Sequence, residues 1–146
     1  MRKQDWPKRD RIKNYFPLPN EIYSLGLSPG AVAVYGFLLR RENRETYQCL
    51  VSYRTIGEAV GMSVNTVRKY VMELEERGLI RTERTTITTK DGRRQNGCLL
   101  YTIPPVQLAI DQFHERQLNE ADLARERWRA EKRREAQEQK EKGERC

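Results

Sequence analysis

Four neighbouring side chains, Asn65, Thr66, Arg68 and Lys69, carry chemistry suited to the edges and backbone of a nucleic-acid duplex. An asparagine amide can pair bidentately with adenine, an arginine fork with guanine, and a threonine methyl can touch the thymine methyl. Lys69 brings only a point charge, which suits a phosphate. No acidic residue follows in this group before Glu73. Taken singly, each is an ordinary solvated side chain; clustered on one face, they read as a base-contacting set. Ser63 and Arg54 just upstream, and Lys90, Arg93 and Arg94 downstream, complete the candidate DNA contacts. Other chemistries have little to stand on. The single histidine, His114, begins a charged tail, and neither a phosphate-cradling glycine loop nor a nucleophile elbow occurs. Cys49, Cys98 and Cys146 lack metal-ligand spacing. No enzymatic activity, cofactor or metal is therefore expected.

The stretch Arg54 to Ile80 must position the cluster. Ser52 can cap a first helix, in which Ile56, Ala59 and Val60 share a face. Gly57 inside that face implies a close crossing that leaves no room for a side chain, since glycine there otherwise costs about 1 kcal/mol. Gly61 suits a positive φ at the helix end. Met62 can plug the gap between the helices, and Ser63 can cap the second. There Val67, Val71 and Leu74 form the buried stripe, flanked by Val64 and Tyr70. Small at 57, glycine at 61 and apolar at 56, 60, 62 and 67 are six constraints in one register, that of a helix-turn-helix.

Gly78 closes the second helix. Two extended runs follow, Ile80-Thr82-Arg84 and Leu99-Tyr101-Ile103 alternating, with Thr85 to Thr89 β-branched throughout. Between them, residues 90–97 hold Asp-Gly and Asn-Gly and are expected as a hairpin loop whose tip carries Lys90, Arg93 and Arg94. A strand pair with a basic tip directly after such a helix is a wing, and its arginines suit a narrow minor groove or phosphates. Upstream, Ser28-Pro29 reads as a cap and first-turn proline, and Ala31 to Leu39 as the central buried helix, followed by Arg40, Arg41 and Arg44. Tyr47 to Val51 fits a small third strand, and Tyr15 to Pro19 an extended lead-in.

The expected fold class is thus mainly α (α+β), a winged helix-turn-helix domain with a long charged C-terminal helix. The expected division is a basic flexible arm over residues 1–14, the winged domain over 15–105, and a charged helix or tail over 106–146. In that tail Val106, Ile110, Phe113, Ala121, Ala124 and Trp128 approximate a weak seven-residue seam. The reading leaves open a short dimerising coiled coil and a single solvated helix.

Charge supports a polyanionic partner. The net charge is +7, and residues 1–113 hold 18 basic against 12 acidic residues, whereas the tail holds 10 against 9. Cys49 and Cys98, in apolar strand contexts, are expected as buried reduced thiols. No stretch approaches the ~20 apolar residues of a membrane span and no signal peptide is recognised, so a cytoplasmic location is expected.

GMSVNTVRKYVMELEERGLI resembles the recognition helix of winged regulators of the GntR type. That resemblance implies DNA contacts at Arg54, Asn65, Thr66 and Arg68, although Val64 stands where a polar residue is often found. FPLPNEIYSLGLSPGAVAVYGFLL with SYRTIGEAVGMSVNTVRKYV is similar to small helix-turn-helix proteins of bacterial mobile elements and to the start of phage and plasmid replication proteins. Three functions are carried forward. The first is a sequence-specific double-stranded-DNA binder regulating transcription in a bacterial mobile element. The second is a replication-initiation or origin-binding accessory protein. The third is a winged protein-interaction module. Duplex DNA is the expected partner, with a homodimer or protein contact through the C-terminal helix.

Overall fold

Residues 15–144 are described by the structure, a computed structural model; the basic arm expected over residues 1–14 lies outside them, as does Cys146. A short 3-10 turn, Asn20–Ser24, precedes helix α1 (Pro29–Arg41), strand β1 (Gln48–Val51), α2 (Tyr53–Val60) and α3 (Val64–Glu76). Strands β2 (Arg81–Glu83), β3 (Thr86–Thr88), β4 (Arg94–Asn96) and β5 (Leu99–Thr102) follow, then α4 (Val106–Glu144). This is the winged helix-turn-helix order with a long C-terminal helix.

The core is built around α1, which buries Ala31, Val34, Tyr35 and Leu38 against α2 and α3. Ile56 from α2 and Val67, Val71 and Leu74 from α3 meet it. Pro29 opens α1, where its missing N–H leaves nothing unsatisfied. Ser28 does not cap with its side chain as expected. Instead its hydroxyl donates to Glu73 Oε1 at 2.8 Å and its N–H reaches the same oxygen at 3.3 Å. A charged acceptor from α3 outcompetes the local cap. Ile22 and Leu25 are also core residues, although PNEIYSLG carries no helical or strand period that would reveal them.

The sheet has the order β1-β5-β2, antiparallel, with Tyr101 opposite both Cys49 and Thr82. A separate ribbon pairs β3 with β4, placing Thr88 against Arg94 and Thr86 against Asn96. The expected loop over residues 90–97 is therefore too long: Arg94, Gln95 and Asn96 are strand, and Arg94 leaves the tip. Thr86, Ile87 and Thr88 favour extended backbone and need partners, so pairing continues until Asp91-Gly92 turns the chain. Gly92 has φ +76°, and the Thr89 N–H donates to the Arg93 carbonyl at 2.9 Å. Asn96-Gly97 is no turn. Asn96 still pairs with Thr86, and the strand breaks after it, where the Gly97 N–H donates to the Thr85 carbonyl at 2.7 Å.

Cys98 sits at this interruption, half-buried and outside any strand, which corrects its expected burial. Cys49 is buried as expected, and desolvation lifts its thiol from 9.0 to about 11. Burial, with Glu42 adding to it, likewise lifts the Tyr35 hydroxyl from 10.0 to about 12. Both groups are held neutral by the fold while the unfolded chain ionises at lower pH. Their contribution to stability is thus complete below pH 9 and is lost as pH rises toward 11 and 12. Thermal melts at stepped pH should fall in that window, and peptide mapping after thiol alkylation at pH 8 should find Cys98 modified and Cys49 spared.

α4 enters the core with its first two turns only. Ala109 is buried, and Val106, Ile110 and Phe113 pack against the domain. Gln112 Nε2 donates to the Glu76 carbonyl at 3.2 Å, and the Arg77 guanidinium lies 5.6 Å from the centre of the Phe113 ring. From His114 to Glu144 every residue is exposed. The head of the expected seven-residue seam is thus occupied by the domain. The rest of it, Ala121, Ala124 and Trp128, is exposed, with Trp128 its one large side chain.

Candidate nucleic-acid interface

The turn is fixed from both sides. Ser52 Oγ accepts from the Thr55 N–H at 3.1 Å and starts α2. α2 ends at Gly61, φ +73°, while the Met62 N–H returns to the Gly57 carbonyl at 2.9 Å. A Cβ at Gly57 would overlap the Met62 carbonyl oxygen, with Val67 of α3 just beyond. The close neighbour is thus first the turn's own backbone and then the crossing helix. Ser63 Oγ accepts from the Thr66 N–H at 3.3 Å and lies 2.8 Å from Thr66 Oγ1. At the far end, Gly78 and Leu79 N–H groups return to Glu75 and Leu74 carbonyls, each at 3.0 Å, which closes α3 as a Schellman motif.

Two contacts invisible to local sequence reading set how α3 lies on α1. The Tyr70 ring covers Gly30, where any side chain would collide with it. Glu73 holds Ser28, as above, while its Oε2 is buried without a partner. Neither position carries a periodic signal, because each acts through a residue some 40 positions away.

With Val67, Val71 and Leu74 turned inward, α3 presents Asn65, Arg68, Lys69 and Met72 outward, all exposed. Thr66 is half-buried and its hydroxyl is engaged with Ser63, so its methyl is what it offers a base. Val64, at the first helical position, is 42% exposed. The Arg68 guanidinium lies 5.8 Å from the centre of the Tyr53 ring, a residue that composition and spacing did not single out. Lys69 Nζ stands 5.7 Å from the Tyr70 ring centre. Such contacts steady a long cation without neutralising it. Arg54 pairs with Glu58 at 3.2 Å, yet its side chain is 84% exposed, so the pair is weak and leaves the guanidinium accessible.

Lys90, Arg93 and Arg94 are exposed on the β3–β4 ribbon, the first two at its turn. They make no hydrogen bond or ion pair with α3 among the described residues. The structure therefore presents two cationic groups, one on the helix and one on the wing. No cluster of three or more His, Cys, Asp or Glu suited to a metal occurs among the described residues, and no helix of theirs is long and apolar enough to cross a membrane.

Residues 25–80 match a family model described as "Helix-turn-helix domain". That segment begins just after the 3-10 turn, takes in α1, β1, α2 and α3, and ends one residue before β2. No curated protein matches the chain. Among solved structures, it is similar to a "Possible transcriptional regulator from Methanosarcina mazei Go1", with 16% identity, TM-score 0.48, and coverage of 73% of this chain and 82% of that one. It is also similar to a "probable transcriptional regulator from Pseudomonas aeruginosa", with 23% identity, TM-score 0.36, and coverage of 72% and 83%.

Proposed function

We propose that this chain is a sequence-specific duplex-DNA-binding protein that acts as a transcriptional regulator, and that its setting is a bacterial mobile element. The observation that carries the DNA reading is the outward face of α3, where Asn65, Arg68 and Lys69 stand exposed beside the Ser63 cap with no acid among them. In helix-turn-helix proteins the N-terminal part of the second helix enters the major groove. Asn65 and Arg68 then contact base edges, and Thr66 offers a methyl to thymine. Lys69, Arg54, Lys90, Arg93 and Arg94 hold phosphates, while Ser63 keeps the helix end formed and brings its N–H groups toward the backbone. The mobile-element setting rests on the resemblance of Phe16 to Ile103 to small proteins of that kind.

The wing provides a separable test. Replacing Lys90 and Arg93 together by alanine is expected to weaken binding to every duplex alike. The slope of log K against log salt should become shallower by about 2, one released counterion for each lost phosphate contact. Fluorescence anisotropy over a salt series reads this directly. A sequence-dependent loss would move these residues from the phosphates to the bases.

A further inference from the structure

The near-neutral total of the C-terminal helix hides a segregation of its charges. Arg125, Arg129, Lys132, Arg133 and Lys140 follow at intervals that return to one side of an α-helix, and Ala136 and Gly143 lie among them. Glu131, Glu135 and Glu138 recur on another side, together with Arg127, Arg134 and Lys142. Asp122 closes the cationic stripe at its start, Glu126 borders it, and Glu144 follows its end. Lys132 is held by Glu135 at 3.4 Å and lies over the Trp128 ring, but Arg125, Arg129, Arg133 and Lys140 form no ion pair among the described residues. The stripe spans roughly 22 Å at 1.5 Å per residue.

We infer that this stripe is a second phosphate-binding surface, engaging duplex DNA independently of α3. Two observations favour DNA over a protein partner. The stripe's own positions hold no large apolar side chain, and the one exposed aromatic at its edge, Trp128, lies under Lys132, whereas the core of a protein interface is normally aromatic or aliphatic. It is also dominated by arginine, whose planar fork suits phosphate. It lies beyond Phe113, the last apolar residue of α4 packed against the core, on a part of the helix that is exposed all round. The inference rests on the duplex-DNA reading proposed above but not on base readout by α3.

The test compares two full-length variants with the same change in net charge. One is Arg125→Gln/Arg129→Gln/Arg133→Gln on the stripe. The other is Arg127→Gln/Arg134→Gln/Lys142→Gln off it. Glutamine keeps helix propensity close to that of arginine, and circular dichroism verifies helix content. On random-sequence duplex DNA, the stripe variant should show a salt slope shallower by about 3 and an affinity lower by on the order of a hundredfold at 0.1 M salt. The off-stripe variant should stay near the wild type. Equal losses in the two variants would reduce the effect to net charge and overturn the proposal. An unchanged stripe variant would overturn it as well, and loss of an acidic protein partner by that variant would assign the stripe to protein instead. Failure of α3 variants to alter sequence preference would count against the proposed base readout while leaving this comparison intact.

Discussion

Replacing Gly57 with alanine is expected to destabilise the winged domain by about 3 kcal/mol and to cost DNA binding with it. By intrinsic propensity alone alanine should gain about 1 kcal/mol inside a helix. Here the added carbon would meet the Met62 carbonyl oxygen, a backbone atom pinned by the Met62 N–H bond back to Gly57 itself. Backbone cannot rotate aside as a flexible side chain can, so the turn must open and α3 must tilt. Gly36 is the internal control. It also lies in a helix, but its nearest added contact is the Phe16 ring at 3.8 Å, an ordinary van der Waals distance. Gly36→Ala should be neutral or stabilising, and urea melts of the two variants side by side read the difference. Similar melts for Gly57→Ala and the wild type would mean that the turn is looser than it appears.

The second large effect concerns specificity. Asn65→Ala/Arg68→Ala is expected to lose about 2–6 kcal/mol of discrimination between selected and random duplexes, each bidentate pair supplying about 1–3 kcal/mol. Salt-dependent binding should persist, because Lys69, Arg54 and the wing still face phosphates. Arg68→Lys separates the two roles of the guanidinium. It keeps the charge but loses the fork, so affinity for random DNA should hold while preference at one base position relaxes. Competition binding with selected and scrambled duplexes measures both. Because Arg68, Asn65 and Lys69 are exposed and outside the core, their loss should leave the melting temperature nearly unchanged. A large drop in stability would instead make them structural.

Much of this site is legible from residue order because its constraints are local. Gly57, Gly61, Ser63 and Gly78 each answer a need within a few residues: close approach, positive φ, an N-cap and a helix end. The buried stripe of Val67, Val71 and Leu74 follows from helical period alone. Long-range contacts leave no such trace. Glu73 looks like one more surface acid until Ser28 is seen 45 residues away, and Gly30 looks like a helix defect until Tyr70 covers it. The wing was misjudged for a related reason. Asn96-Gly97 has turn chemistry, but the pairing preference of Thr86 to Thr88 extends the ribbon through Asn96, and the strand breaks after it. The head of the α4 seam, Val106, Ile110 and Phe113, packs on the domain's core, a matter of tertiary packing that spacing does not encode.

The central claim is that the outward face of α3 reads base sequence. Selection of bound sites from random duplexes, performed in parallel with the wild type and Arg68→Ala, tests it most directly. The account predicts one enriched sequence for the wild type and the loss of preference at a defined base position for the variant, with random-DNA affinity largely retained. No enrichment by the wild type, or an identical enriched sequence for both proteins, would contradict it.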